Sequence, residues 1–173
     1  MGSLNVEGEI VVDAFAGIGY YSLPLLVHGK AAHVHACELN PESIKALEWA
    51  AQKNEVSRLI SILKGDNQTT LPELRGIADR VLLGLLPSSE AAWKLAVLTL
   101  KEEGGTLHIH MNVEEEHIEQ WMKDTVQTCL GYAKDSGRYW HCNNQHLEKV
   151  KWYAPRVRHV VLDVSFSSSN SAS

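Results

Sequence analysis

The sequence has no hydrophobic run long enough to cross a membrane, and it has few cysteines. No stretch of about 18 apolar residues occurs, which argues against a transmembrane helix. The three cysteines, Cys37, Cys129 and Cys142, are far apart and form no CxxC pair, so we expect reduced thiols rather than a disulfide framework. The start of the sequence shows no signal-peptide pattern. These features predict a cytosolic or nuclear protein with no membrane partner, and of the two we expect a cytoplasmic location.

Positive charge is also scarce. The formal net charge of -5 argues against a general polyanion binder, although a local basic surface stays compatible with it. A hydrophobic content of 45% and a charged content of 21% are typical of a globular chain, and 173 residues suit one domain. We predict one domain over residues 1–166, a monomeric state, and a disordered serine-rich tail over residues 167–173.

Short apolar runs alternate with helical patterns along the chain. The predicted strands are residues 9–15, 33–37, 58–66, 78–86, 106–113, 138–153 and 156–166, and the predicted helices are 20–28, 41–53, 88–102 and 115–132. This alternation predicts an α/β fold with a doubly wound, mostly parallel seven-stranded sheet. The last two strands have no helix between them, so we expect them to form an antiparallel hairpin.

A carboxylate and two glycines stand where the first strand meets the first helix, in "VVDAFAGIGYYSLPLL". Gly17 and Gly19 allow a tight turn and a close approach of backbone to a ligand. The third glycine of a dinucleotide fingerprint would fall at Ser22, and Asp13 would repel a pyrophosphate. The pattern therefore disfavours NAD and favours a ligand with a cationic amino acid part. A tight turn without a ligand is the alternative.

Further polar residues follow the second and third predicted strands. Glu38 lies 19 residues after Gly19, close to the spacing at which an acid accepts hydrogen bonds from ribose hydroxyls. Asp66 and Asn67 follow the third strand, where they could bind an adenine amino group. Each acid alone has a structural explanation, as a helix-leading charge or a solvated turn. Three acids at the ends of three successive strands predict a nucleoside site.

These stretches resemble a known family. "DAFAGIG", "ACELNP" and "GDN" look like motifs of class I S-adenosylmethionine-dependent transferases. "DRVLLGLLPSSEAAW", "GGTLHIHMNV" and "KVKWYAPRVRHVVLDV" resemble the wybutosine-synthesising tRNA aminocarboxypropyltransferase family, sister to the tRNA guanine-N1 methyltransferases. The likeness runs over residues 9–164 and implies the class I methyltransferase fold and S-adenosylmethionine as cofactor. The residues that it implies for cofactor binding are Asp13, Phe15, Gly17, Gly19, Glu38, Leu39, Asp66 and Asn67, and those for the substrate-side loop are Leu85, Pro87 and Ser88.

The resemblance implies transfer of a 3-amino-3-carboxypropyl group to a tricyclic guanosine derivative beside the anticodon of phenylalanine tRNA. Relatives that transfer a methyl group place Asn or Asp at the strand-four position that we align with Leu82. The family also carries an upstream tRNA-binding part, so we expect this sequence to be a catalytic-domain fragment or a short form. A guanine-N1 methyltransferase and a non-catalytic cofactor-binding module remain alternatives. The sequence names no general base. We expect no metal, because nothing completes a ligand set around the paired histidines of "HVH" and "HIH".

Overall fold

The computed structural model describes residues 5–168. Seven strands and five α-helices follow one another in this part of the chain, with 3₁₀ turns at Leu71–Leu74 and Glu115–His117. In chain order the elements are β1 (Ile10–Asp13), α1 (Ser22–Val27), β2 (His33–Glu38), α2 (Pro41–Lys53), β3 (Ile60–Lys64), α3 (Asn67–Thr70), β4 (Arg80–Leu83), α4 (Glu90–Thr99), β5 (Gly104–Glu114), α5 (Ile118–Asp135), β6 (Trp140–Ala154) and β7 (Val157–Ser168).

The strands form one sheet in the order β3-β2-β1-β4-β5-β7-β6. Strands β1 to β5 pair in parallel, and β7 runs antiparallel to both β5 and β6. Because the order reverses at β1, the carboxyl ends of β1 and its neighbours open a crevice where α/β folds of this kind bind ligands. The predicted α/β fold and its C-terminal antiparallel hairpin are confirmed.

Three strands of the ligand-binding edge, β1, β3 and β4, are shorter than the sequence predicts, whereas β2 runs one residue further, to Glu38. β1 ends at Asp13 rather than at Phe15, because the chain turns there into the glycine loop. β3 ends at Lys64, and Asp66 caps the short helix α3 by accepting a hydrogen bond from the Gln68 backbone N–H at 2.8 Å. Of the predicted polar residues, Asp13 and Glu38 are therefore the last residues of β1 and β2, and Asp66 and Asn67 lie just beyond β3.

The sheet also extends beyond the predicted domain boundary. β7 includes Ser167 and Ser168, which pair with Gly104 of β5 and Trp140 of β6. These two residues belong to the sheet, not to the predicted tail. The rest of that predicted tail, residues 169–173, lies outside the described residues.

Two layers of helices bury the sheet. On one face, α4 and α5 cover β4, β5 and β7 through residues such as Trp93, Leu107 and Leu162. On the other face, α1 covers β1 and β2 around Val11 and Val34. Within residues 5–168, every helix falls short of the combined length and hydrophobicity of a membrane-spanning segment.

Candidate nucleoside-binding site

A pocket of about 560 Å³ lies at the carboxyl ends of β1 to β4. This volume is within the range of roughly 300–1,000 Å³ that is usual for small-molecule sites. Its wall consists of Ala14, Phe15, Gly17, Cys37, Glu38, Leu39, Gly65, Asp66, Asn67, Gln68, Gly84, Leu85, Ser88, Ser89, Ala91 and Ala92. Eight of the predicted site residues are among them: Phe15, Gly17, Glu38, Leu39, Asp66, Asn67, Leu85 and Ser88.

Glu38 joins the first two loops of the pocket. Its Oε2 accepts a hydrogen bond from the Gly17 backbone N–H at 2.6 Å, and its Oε1 accepts one from the Asn40 backbone N–H at 2.7 Å. Each carboxylate oxygen has a second acceptor position, so the side chain can still accept two hydrogen bonds from a ligand. Glu38 is thus fixed in place by the backbone while it faces the pocket.

Asn67 and Asp66 are positioned by the start of α3. Asn67 Nδ2 donates a hydrogen bond to the Ala14 carbonyl oxygen at 3.3 Å, which ties the third loop to the first. One side-chain oxygen of Asp66, Oδ1, accepts the hydrogen bond that caps α3. Its other oxygen, Oδ2, can accept a hydrogen bond from a ligand. The sequence-predicted residues of three successive loops are therefore brought together around one cavity.

The two glycines of the first loop have different structural roles. Both have a left-handed backbone, with φ of +54° at Gly17 and +97° at Gly19. A Cβ on Gly17 would meet open space, whereas one on Gly19 would lie 2.7 Å from Leu47 Cδ1 and 2.9 Å from the Leu23 side chain. Gly17 faces the pocket. Gly19 is needed for packing of the loop on α1 and α2, and it is not among the lining residues.

Asp13 lies beneath the pocket rather than in its wall. It is fully buried, accepts a hydrogen bond from Ser22 Oγ at 2.8 Å, and accepts another from the Phe15 backbone N–H at 3.3 Å. Burial raises the pKa of Asp13 to about 6, although both hydrogen bonds oppose this shift and the charge of Glu38 adds a little to it. The carboxyl group therefore holds the glycine loop against α1.

The loop after β4 forms the opposite wall. Leu85 and Ser88 line the pocket, whereas Pro87 does not and instead accepts a hydrogen bond at its carbonyl oxygen from the Asn112 backbone N–H at 3.0 Å. Leu82 is 2% exposed and packs in the core, so the position that we align with the polar residue of methyltransferases does not face the pocket. Gly84 takes that place, because β4 ends at Leu83 and the next residue turns toward the cavity.

Sequence reasoning missed several wall residues. Gly65, Gly84, Ala91 and Ala92 bring only backbone or a methyl group to the cavity, so no polar signal marks them. Cys37 also lines the wall, and burial raises the pKa of its thiol to about 11, so it contributes bulk rather than reactivity. The position of Gly65 and Gly84 directly after strands is the one signal that could have indicated them.

The paired histidines occupy structural positions. His108 contacts Asp163 through Nδ1 and Arg80 through Nε2, and Arg80 in turn pairs with Glu9 at 2.6 Å. His33 Nε2 lies 2.8 Å from Ser61 Oγ. Both side chains therefore interact with residues of neighbouring strands of the sheet.

Comparisons with known proteins show which family the chain resembles. Residues 1–136 match the TRM5/TYW2 methyltransferase domain. The chain is 50% identical over 164 residues to the Arabidopsis thaliana tRNA wybutosine-synthesizing protein 2/3/4, covering 95% of this chain and 16% of that protein. It is 36% identical over 212 residues to the human tRNA wybutosine-synthesizing protein 2 homolog, covering 94% of this chain and 47% of that protein. The chain thus spans about half of the human relative and less of the plant one.

Solved structures show the same relationship. M. jannaschii TYW2 in complex with AdoMet superposes with a TM-score of 0.86 at 30% identity, over 96% of this chain and 72% of that one. P. horikoshii TYW2 in complex with MeSAdo superposes with a TM-score of 0.82 at 33% identity, over 97% and 60%. The M. jannaschii tRNA m1G37 methyltransferase, at 23% identity and a TM-score of 0.71, shares the fold. The chain belongs to the TRM5/TYW2 methyltransferase-domain family.

Proposed function

We propose that this chain binds S-adenosylmethionine and transfers its 3-amino-3-carboxypropyl group to a tricyclic guanosine derivative of phenylalanine tRNA, the wybutosine precursor, releasing methylthioadenosine. The observation that carries the proposal is the convergence of Glu38, Asp66 and Asn67 on one cavity of about 560 Å³. When bound, the cofactor supplies a sulfonium whose methionine-chain γ-carbon is the electrophile.

The donors and acceptors of the cavity suit an adenosine. The free acceptor positions of Glu38 match the two hydroxyls of a ribose, and Asp66 Oδ2 matches an amino group. Phe15, Leu39 and Ala92 give the cavity apolar surface against which an aromatic base can pack. The residues present therefore fit a nucleoside cofactor.

The predicted site residues fall into two groups, those that line the cavity and those that lie behind its wall. We assign cofactor contacts to Phe15, Gly17, Glu38, Leu39, Asp66 and Asn67, and substrate-side contacts to Leu85 and Ser88. Asp13 and Gly19 act on the cofactor indirectly, by holding the glycine loop in shape, and Pro87 does the same for the substrate-side loop through its bond to β5.

The choice of aminocarboxypropyl over methyl transfer is supported by the relatives, which are named as wybutosine-synthesizing proteins. The MeSAdo in the P. horikoshii TYW2 complex is the nucleoside that such a transfer leaves behind. Gly84 adds a structural reason, because it faces the cavity after β4 and has no side chain to hold the attacking amino or ring nitrogen of a methyl acceptor.

The cysteines and the edge strand support an expectation about the cellular setting. All three cysteines are free, and Cys37 and Cys129 are buried, which supports a reducing compartment such as the cytoplasm. The edge strand β6 has three register irregularities against β7, and bulged edges discourage pairing between copies of a chain. We therefore expect a monomer that acts on tRNA.

Identification of the sulfur product tests the proposal. The chain is incubated with S-adenosylmethionine and phenylalanine tRNA that carries the tricyclic precursor, and the nucleoside products are separated by mass. Methylthioadenosine is expected. S-adenosylhomocysteine would instead support the methyltransferase alternative, and neither product would support a non-catalytic binding module. Glu38→Ala serves as the control that lacks the proposed ribose contacts.

A further inference from the structure

A second cluster of polar side chains lies beside the pocket. Asn112 of β5 stands directly opposite His159 of β7, so both side chains project from the same face of the sheet. His110 is next to them, with Nδ1 at 3.0 Å from His159 Nε2. Three side-chain atoms of this cluster are covered and find no hydrogen-bond partner within residues 5–168: Asn112 Oδ1, Asn112 Nδ2 and His159 Nδ1.

These unpartnered atoms are unfavourable for the fold alone. Buried polar atoms are nearly always hydrogen-bonded, because burying one without a partner costs the full desolvation free energy of that atom. His159 is only 8% exposed, and Asn112 presents both a donor and an acceptor without a partner. A leucine at position 112 would pack in the same space without that cost. We therefore expect a ligand to supply the missing hydrogen-bond partners of this cluster.

The cluster borders the proposed active site. The Asn112 backbone N–H donates to the carbonyl oxygen of Pro87, in the loop that forms the pocket wall. The Tyr21 ring lies between the two regions: its Cε2 is 3.3 Å from where a Cβ would stand on Gly84, and its centroid is 5.3 Å from that of His110. Tyr21 is half-buried, so part of its side chain is open to solvent.

We propose that Asn112, His159 and Tyr21 form the subsite for the acceptor nucleobase, a role that rests on the proposed function. An amide with a free donor beside a free acceptor matches a base edge on which an acceptor lies beside a donor, as in guanine N3 and N2–H. Tyr21 supplies the aromatic face on which an unstacked RNA base can lie. The ligand class is thus a single unpaired purine of an RNA loop.

The His110–His159 bond orients the second recognition group. Burial lowers the pKa of His110 to about 4, and burial together with the charge of Lys151 lowers the pKa of His159. Both rings are therefore neutral near pH 7, and one N–H lies between them. If His159 donates it, His159 Nδ1 is an acceptor; if His110 donates it, His159 Nδ1 carries a proton and is a donor. The histidine pair can therefore present either a donor or an acceptor at His159 Nδ1, to match an acceptor or a donor on the base.

The test compares two RNA hairpins by fluorescence anisotropy at low salt, where phosphate contacts strengthen binding. One hairpin carries an unpaired guanosine in its loop, and the other is abasic at that position. The protein is expected to bind the guanosine hairpin about 5- to 150-fold more tightly, the range that two matched base contacts give. Asn112→Leu and His159→Phe should each reduce this ratio toward one.

Stability and a matched control separate recognition from folding. Because Asn112→Leu removes two unpartnered atoms, its melting temperature should equal or exceed that of the wild type. Asn144→Leu, at an exposed position of β6 on the same sheet face, should leave the hairpin ratio unchanged.

Equal affinity of the wild type for both hairpins, or no binding of either, would overturn the proposal, as would an unchanged ratio in Asn112→Leu. Release of S-adenosylhomocysteine, instead of methylthioadenosine, in the product assay would overturn the proposed function while leaving base recognition intact.

Discussion

Glu38 Oε2 accepts a hydrogen bond from the Gly17 backbone N–H at 2.6 Å, so a carboxylate at the end of β2 holds the turn that follows β1. The same carboxylate supports the Asn40 backbone at the start of α2. One side chain therefore shapes two loops of the pocket and also faces its interior. Its loss should affect binding more than an exposed acid would.

We expect Glu38→Ala to weaken S-adenosylmethionine binding by about 10- to 150-fold, because both ribose hydrogen bonds are lost. Isothermal titration calorimetry measures the change. Glu42→Ala is the matched control, since Glu42 is an exposed acid of the neighbouring helix that pairs with Lys45. An unchanged affinity in a folded Glu38→Ala protein would exclude this ribose site.

Asp13→Asn should change how stability depends on pH. The carboxyl pKa rises from 3.8 in the unfolded chain to about 6 in the fold, so folding favours the protonated acid. Stability is therefore lost as pH rises from about 4 to about 6, by roughly 3 kcal/mol in total. A neutral amide at this position carries no such cost. We expect Asp13→Asn to be more stable than the wild type at pH 7.5 by up to that amount.

Urea unfolding at pH 4 and pH 7.5 tests this pH dependence. Other ionisable groups change the stability of both proteins alike, so the difference between variant and wild type isolates Asp13. The difference should grow from pH 4 to pH 7.5. A difference that stays constant, or that shrinks, would contradict the raised pKa.

Gly17→Ala and Gly19→Ala should separate binding from folding. Gly17 has open space around its missing Cβ, so alanine there costs roughly 1–2 kcal/mol for the left-handed backbone. Gly19 has the same backbone requirement, and its Cβ would clash with Leu47 and Leu23. We expect Gly19→Ala to be the less stable variant in urea unfolding. Gly17→Ala should fold and lose cofactor affinity; the reverse order of stabilities would refute this division.

His108→Leu should destabilise the fold by about 1–3 kcal/mol, because Asp163 and Arg80 lose a buried hydrogen-bond partner. His146→Leu is the control: His146 also stands opposite Asp163, on β6, but it is exposed. Its effect should stay within about 0.5 kcal/mol. Thermal unfolding of both variants makes the comparison, and similar losses would mean that the His108 contacts contribute nothing specific.

Much of the pocket could be predicted because sheet topology brings strand ends together. Glu38, Asp66 and Asn67 follow consecutive parallel strands, and the carboxyl ends of such strands meet at one edge. Local sequence patterns identify the strands and their order along the chain. Nothing more was needed to place these three residues around one cavity.

Other features depend on distances that the sequence does not show. Asp13 follows a strand as Glu38 does, but Ser22 and the packing of α1 decide that it is buried. Leu82 does not face the pocket as its alignment implied, because it lies inside β4 with its side chain in the core, and Gly84, just beyond the end of the strand at Leu83, lines the cavity instead. The Asn112–His159 pair required the register between β5 and β7, which no local pattern encodes.

The place of β7 between β5 and β6 has a consequence for synthesis on the ribosome. The last described strand fills the middle of one half of the sheet, so that half stays open until residues 157–168 have left the exit tunnel. The residues that line the pocket all precede it in the chain and therefore leave the tunnel earlier. Until β7 arrives, β5 presents an unpaired edge of 11 residues to the cell. A stalled or prematurely ended chain would expose that edge to other nascent proteins and to chaperones.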